Sequence, residues 1–287
     1  MSKTPMKLLV PFDGNARSMD ALEYAAMFAS GMNATITALH IAKAEDYSSK
    51  EEFQLELKKI VDQQLRPKLV EIQKTYPGVQ KIDLQTRGSE KSLPNHIIDF
   101  AAENEIDFII MRSHGIPDAS DWDLHFITTN AYKVILEAQC PVFSFTDIPK
   151  QPGMKNILLP IDLSEGSVCK IPLAISLALN FDAHIHLLSA SENQNETIEL
   201  EEQLKKVYTE LKSRKVKVLK NEVQPENLAK AITRYCSNSP MDLIIIMSRP
   251  GFKWSDLWIS PIAKRILAHS ATPVLSMRSN VPIDVDI

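Results

Sequence analysis

Laid over itself at an offset of 149 residues, the chain repeats. KLLVPFDGNARSMDALEYAAMFASGMNATITALH, beginning at Lys7, falls on NILLPIDLSEGSVCKIPLAISLALNFDAHIHLLS, beginning at Asn156. Over these 34 ungapped positions the identical pairs are Leu9/Leu158, Pro11/Pro160, Asp13/Asp162, Ser18/Ser167, Ala25/Ala174, Ala29/Ala178, Ala34/Ala183, Ile36/Ile185 and Leu39/Leu188, where chance gives about two, so one fold is written twice. The ends agree as well: DFIIM (107–111) matches DLIII (242–246), and AYKVILEAQCPVFSF matches AKRILAHSATPVLSM. Between the copies, TDIPKQPGMKN carries two prolines and a glycine and reads as a linker. The expected domains are therefore residues 1–149 and 150–287.

Within a copy, apolar runs of strand type alternate with stretches of helical spacing. KLLVPF reads as a strand, SMDALEYAAMFASGM as a helix ending near Gly31, and TITALHI as a second strand. The long stretch SKEEFQLELKKIVDQQLRPKLVEIQKTY carries an apolar stripe at Phe53, Leu57, Ile60, Leu65, Leu69 and Ile72, with a kink expected at Pro67. VQKIDLQT, SLPNHIIDFAAENE, IDFIIM, a helix from Thr129 to Ala138 and CPVFSF complete the unit. Five strands separated by four helices predict an α/β fold, a parallel sheet covered on both faces. Ligands of such sheets sit at the carboxyl ends of the strands where strand order reverses, which selects the loops after Phe12 and Met111, and after Ile161 and Ile246.

Composition narrows the function classes. Charged residues make up 24% and hydrophobic ones 44%, and the net charge of −4 gives no electrostatic hold on nucleic acid or anionic lipid. The apolar patch in MSKTPMKLLVPFD is far shorter than a signal-peptide core, and IPLAISLAL is less than half of the roughly 20 residues that span a bilayer. The expected location is the cytoplasm, with neither nucleic acid nor membrane as partner. Cys140, Cys169 and Cys236 are odd in number and far apart, as buried thiols of a reducing compartment would be.

LLVPFDGNARSMDALEYAAMFA and ILLPIDLSEGSVCKIPLAISLA, followed by FIIMRSHG and a helix leading into CPV or TPV, resemble universal stress proteins in tandem arrangement. The resemblance covers nearly the whole chain. It implies two Rossmann-like sandwiches of the adenine nucleotide alpha hydrolase type, each a five-stranded parallel sheet flanked by four helices. It also implies pairing through the last strands, here PVFSF and PVLSM, as an internal pseudo-dimer, with a homodimer or a protein partner as further options. The nucleotide-binding subset of the family cradles ATP phosphates with G-x-x-G, nine residues, then G-S or G-T. Pro11, Asp13 and Ile41 are the matching nucleoside-side positions in the first copy, and Asp162 is the equivalent of Asp13 in the second.

The phosphate loops depart from that pattern. In the first copy Arg112 stands on the first glycine, Gly115 on the second and Thr128-Thr129 on the last pair, with twelve residues between where the pattern has nine. In the second copy Met247 and Pro250 replace the first two glycines and Ser260-Pro261 the last pair. An N–H bonded to a phosphate contributes about 1.5 to 3 kcal/mol, and proline removes that donor. Losing several carries a micromolar site to about millimolar. The chain has 8 glycines in 287 residues, well below the usual ~7%. The second loop is expected to be inactive toward triphosphate. In the first, Thr129 at a helix N-terminus and the side chains of Arg112 and His114 could still meet a phosphate, while Asp118, Asp121 and Asp123 repel one.

Other residues carry ordinary readings beside sharper ones. Asp13 and Asp162 either hydrogen-bond an adenosine or cap the following helix. Asp118, Asp121, Asp123 and His125 fit a solvated acidic loop better than a metal set, and His184 and His186, on one strand face, are read as plain histidines rather than ligands. Trp122, Trp254 and Trp258 are read as packing. No catalytic constellation is present. The expected function is a non-enzymatic stress-response binding or scaffold module that requires no cofactor. The alternatives are an ATP-binding protein with slow hydrolysis that uses the first domain alone, and a binder of another small ligand between the repeats.

Overall fold

The computed structural model describes residues 5–43, 48–79, 81–89, 92–113, 130–146, 153–164, 166–249 and 261–278. The chain divides into two compact units, Met1–Ser113 with Thr128–Val142, and His114–Ile127 with Phe143–Ile287. The first repeat runs β1 (Met6–Pro11), α1 (Ala16–Met32), β2 (Ala34–Lys43), α2 (Lys50–Lys59), a π-helical turn (Ile60–Leu65), α3 (Arg66–Thr75), β3 (Ile82–Ser89), α4 (Leu93–Glu103), β4 (Phe108–Arg112), α5 (Asn130–Glu137) and β5 (Val142–Phe145). Its strand order is β3-β2-β1-β4-β5, with β1 parallel to both β2 and β4, and β2 parallel to β3.

The second repeat runs β6 (Asn156–Pro160), α6 (Ile171–Phe181), β7 (His184–Ala190), α7 (Gln194–Ser213), β8 (Lys217–Gln224), α8 (Leu228–Asn238), β9 (Leu243–Arg249), α9 (Pro261–His269) and β10 (Val274–Arg278). Its order, β10-β9-β6-β7-β8, is the same pattern, again with parallel pairs. The predicted α/β class with parallel sheets is what the chain adopts. Strand order reverses between β1 and β4 and between β6 and β9, so each repeat has its switch point beside the Pro-x-Asp loop.

The central strands are buried because helices cover both faces of a parallel sheet. Ile109 and Ile110 in β4, and Leu243 and Ile245 in β9, are wholly inaccessible. Small residues on α1, Ala21, Ala25, Ala26 and Ala29, are all buried, which lets the helix lie close to the strands beneath it. In α7 the buried residues Leu200, Leu204, Val207 and Leu211 recur at steps of four, three and four, the stripe of an amphipathic helix.

Two local expectations are refined. The helix expected to end near Gly31 continues to Met32 and is closed by Asn33, whose φ of 50° is left-handed and whose N–H bonds to Ala29 O. Asp182, 149 residues later, does the same with φ 50° and Ala178 O. Asn and Asp tolerate this conformation, so both copies use a short polar side chain where glycine would otherwise serve. The kink expected at Pro67 is spread over the turn before it, where Arg66 N–H reaches back five residues to Val61 O. Pro67 offers no N–H and its ring crowds the carbonyl of Gln63, so the helix widens rather than breaks. No proline interrupts α7, and it stays regular over 20 residues.

Candidate functional site

The loop leaving the first strand of each repeat is built from matched bonds. Phe12 N–H bonds to Leu39 O and Ile161 N–H to Leu188 O, each at 2.8 Å. Asp13 N–H then reaches Ser18 Oγ at 3.4 Å, and Asp162 N–H reaches Ser167 Oγ at 3.0 Å. This explains why Pro, Asp and Ser recur in register: the serine, buried in both copies, receives the amide that the turn strips of its sheet partner. Asp13 is exposed, and its carboxylate accepts from Asn15 N and Nδ2 at 3.1 and 2.7 Å. The cap of α1 is Asn15, whose Oδ1 accepts Ser18 N–H, so Asp13 supports the cap and does not form it. Asp162, half-buried, accepts from Ser164 N and Oγ at 3.1 and 2.5 Å.

The repeats then differ in charge. Arg112, at the end of β4, forms an ion pair with Asp20 on α1, both partly buried. The corresponding second-repeat positions are Met247 and Cys169, so both charges are absent together. One residue further on, Lys170 replaces Ala21 and is buried, with 4% exposure. Burial pushes its pKa down to about 8, against the attraction of Asp162.

An open cleft of about 480 Å³ lies in the second repeat at the carboxyl ends of β6, β7 and β8. It is lined by Asp162 and Leu163 after β6, by Ala190 to Asn193 after β7, by Glu196 and Leu200 on α7, by Glu226 to Leu228 entering α8, and by Ile262. Among the described residues the charged ones that line it, Asp162, Glu192, Glu196 and Glu226, are acidic. The helix N-termini at its rim are closed by the protein's own side chains. Asn193 Oδ1 takes Asn195 N–H, and Asn227 Oδ1 takes Ala229 N–H, both at 3.0 Å. Ser191 Oγ donates to Glu196 Oε2 at 2.6 Å and accepts from Asn193 N at 3.0 Å.

Of the residues singled out from the sequence, Pro11 ends β1 and Asp13 follows it at the first-repeat switch point, Arg112 ends the adjoining β4, and Ile41 lies near the carboxyl end of β2. Asp162 lines the cleft, and Met247 is buried at the end of β9. His114, Gly115, Thr128, Thr129, Pro250 and Ser260 lie outside the described residues, as do Asp118, Asp121, Asp123, His125, Trp122, Trp254 and Trp258. The sequence reading missed Ser191, Glu196, Glu226 and Asn227. Their signal was available: SASENQNE and QPENLAK each place a capping residue and an acid where a strand gives way to a helix.

His186 is an ordinary core histidine. Its Nδ1 meets Tyr235 Oη at 2.7 Å and its Nε2 meets Asn156 Oδ1 at 3.1 Å, and burial lowers its pKa, helped by His184. The amide oxygen can only accept, so Nε2 carries the proton and Tyr235 donates to Nδ1. Burial raises the Cys140 thiol to about 12 and the Cys236 thiol to about 11, which keeps both protonated at neutral pH. Among the described residues no group of three or more His, Cys, Asp and Glu is placed to hold a metal, and no helix is long and apolar enough to cross a membrane.

Fold and geometry together define a doubled parallel α/β sandwich in which strand order reverses once in each copy. The Universal stress protein family model matches residues 5–144 and again 153–278. The chain therefore belongs to the universal stress protein family, in its tandem form. Among solved structures it is similar to a universal stress protein from Archaeoglobus fulgidus, with 17% identity, a TM-score of 0.73, and 95% of this chain and 98% of that one covered. It is similar also to a functionally unknown protein from Pseudomonas aeruginosa PAO1, with 16% identity, a TM-score of 0.64 and coverage of 96% and 93%. The cytoplasmic domain of a prokaryotic cation chloride cotransporter matches with 15% identity, a TM-score of 0.50 and 96% coverage of each chain. At these identities the likeness is one of fold. No curated protein matches the chain.

Proposed function

We propose that this protein is a non-catalytic, two-domain stress-response binding module, with residues 1–149 and 150–287 as its domains, that holds a small ligand in the second-repeat cleft and does not bind ATP strongly. The observation that carries this reading is the cleft itself, a concave space beside the switch point whose charged lining, among the described residues, is acidic. Its volume falls in the range of small-molecule sites, and carboxylates repel a triphosphate. The first repeat supports ATP little better, because the Arg112 guanidinium already neutralises Asp20. ATP held by the first domain, with slow hydrolysis, is the reading this one displaces.

Thermal denaturation with and without ATP and Mg²⁺ tests the proposal. A ligand present at 100 times its Kd stabilises by about 2.7 kcal/mol, which in a chain of this size raises Tm by about 5 °C or more. No such rise is expected at millimolar nucleotide. A rise of that size, removed by Arg112→Gly, would establish the ATP reading instead.

A further inference from the structure

We propose that the chain forms a homodimer by pairing the outer edge of β3 antiparallel with β3 of a second copy.

The edge follows from which backbone groups the sheet uses. β3 is a terminal strand: β2 lies on one side of it, and among the described residues no strand pairs with the other. Lys81 O receives Ile36 N–H at 2.9 Å. Successive residues of a strand alternate the side to which their N–H and C=O point, so those of Asp83, Gln85 and Arg87 also turn toward β2. Those of Ile82, Leu84, Thr86 and Gly88 turn outward, a row of donors and acceptors open to another strand. The register with β2 runs from Ile82 to Ser89 without a shift, and β3 contains neither proline nor lysine. β8, the terminal strand of the second repeat, is guarded differently. Its pairing with β7 shifts between Leu187 and Ser189, and Lys217 and Lys220 stand on it.

A straight edge can take any extended chain, and the charges of β3 select a second copy. A strand meets its own copy about a two-fold axis. With the axis at Gln85, outward residues face each other, Leu84 opposite the partner's Thr86 and Ile82 opposite the partner's Gly88, and each such pair exchanges two hydrogen bonds. The same register sets Asp83 opposite the partner's Arg87 on both sides of the axis. These are the positions between hydrogen-bonded pairs, where facing residues come closest and opposite charges attract. Moving the axis to Leu84 sets Lys81 opposite the partner's Arg87, like against like. Moving it to Thr86 leaves Asp83 opposite the partner's Ser89. Asp83 is accessible for the pairing: its carboxylate meets Lys81 Nζ at 2.5 Å and keeps 42% exposure.

Sedimentation equilibrium of the full chain tests this. The mass is expected to rise toward that of two chains between about 1 and 100 μM. Arg87→Asp sets carboxylates against each other and should raise the dimer Kd by about tenfold or more. The exchanged pair Asp83→Arg/Arg87→Asp should restore it to within about threefold. Thr86→Pro removes an outward N–H and leaves the bonds to β2 in place, so it too should weaken the dimer by about tenfold. Circular dichroism at the lowest concentration checks that each variant folds; should the exchanged pair fail to fold, Thr86→Pro decides. The mass of one chain over the whole range would overturn the proposal and leave the edge to a strand of another protein. A dimer indifferent to Arg87→Asp and Thr86→Pro would overturn it as well, as would an Arg87→Asp loss that the folded exchanged pair does not recover.

Discussion

Arg112 and Asp20 face each other in the first repeat, and Met247 and Cys169 stand in their places in the second. A partly buried charge without its partner is costly, so the two positions change together. Lys170 breaks that economy: its ammonium is buried, and the fields of Asp162 and Cys169 offset only part of the desolvation. Below pH 8 it is charged in both folded and unfolded chains, and the folded state carries the whole cost. Between pH 8 and 10.5 the folded state sheds the proton first, so the cost fades as pH rises. Lys170→Met is therefore expected to stabilise the protein by about 2 to 4 kcal/mol at neutral pH and by little above pH 10.5, as read by urea denaturation across pH. His186 has the same sign at lower pH. Its folded pKa lies below 6.5, so stability falls as pH drops from about 7 through that value and levels off below the folded pKa. Tyr235→Phe, which removes the donor to Nδ1, should cost about 1 kcal/mol near neutrality by the same assay. These consequences were only partly legible in the sequence. Pairing Asp13 with Asp162 and Ser18 with Ser167 located the loop, but not that the serines receive the aspartate amides, because that bond depends on where α1 and α6 lie against the strands.

At the scale of elements, the sequence revealed strands and helices through their periodicity, and in the first copy it marked the end of the first helix to within one residue. In the long helix it located the disruption at Pro67 but not its form, because a proline signals disruption without saying how the backbone absorbs it. The π turn has a tertiary consequence. Gly14, with φ +83°, lies against Gln64 and Ile60 of that turn, and a Cβ added there would collide with Gln64 Oε1. Gly14→Ala is expected to cost about 1 kcal/mol, chiefly from the left-handed φ, because Gln64 Oε1 is the free end of an exposed side chain that can move aside. Adding Gln64→Ala should therefore recover little of the loss, which a double-mutant cycle measures. The second-repeat helix has no such turn, and its stripe carries the packing instead. Leu204, fully buried in α7, should cost about 2 to 5 kcal/mol when replaced by alanine.

For the whole molecule, the duplication was the strongest signal in the chain, and it yielded the fold class, the switch points and the family. The candidate site was less legible. Sequence comparison directs attention to the phosphate loops, where most of the pattern's glycines are replaced, whereas the cleft is made of residues after β6, β7 and β8 that converge only when the sheet forms. A doubled chain can let its copies diverge, one keeping an arginine and the other an acidic cleft, because each unit supports its own core. We propose that this tandem universal stress protein works without a resident adenine nucleotide. Mass spectrometry of small molecules released on denaturing the purified protein tests this. No stoichiometric AMP, ADP or ATP is expected; release of one adenine nucleotide per chain would contradict the proposal.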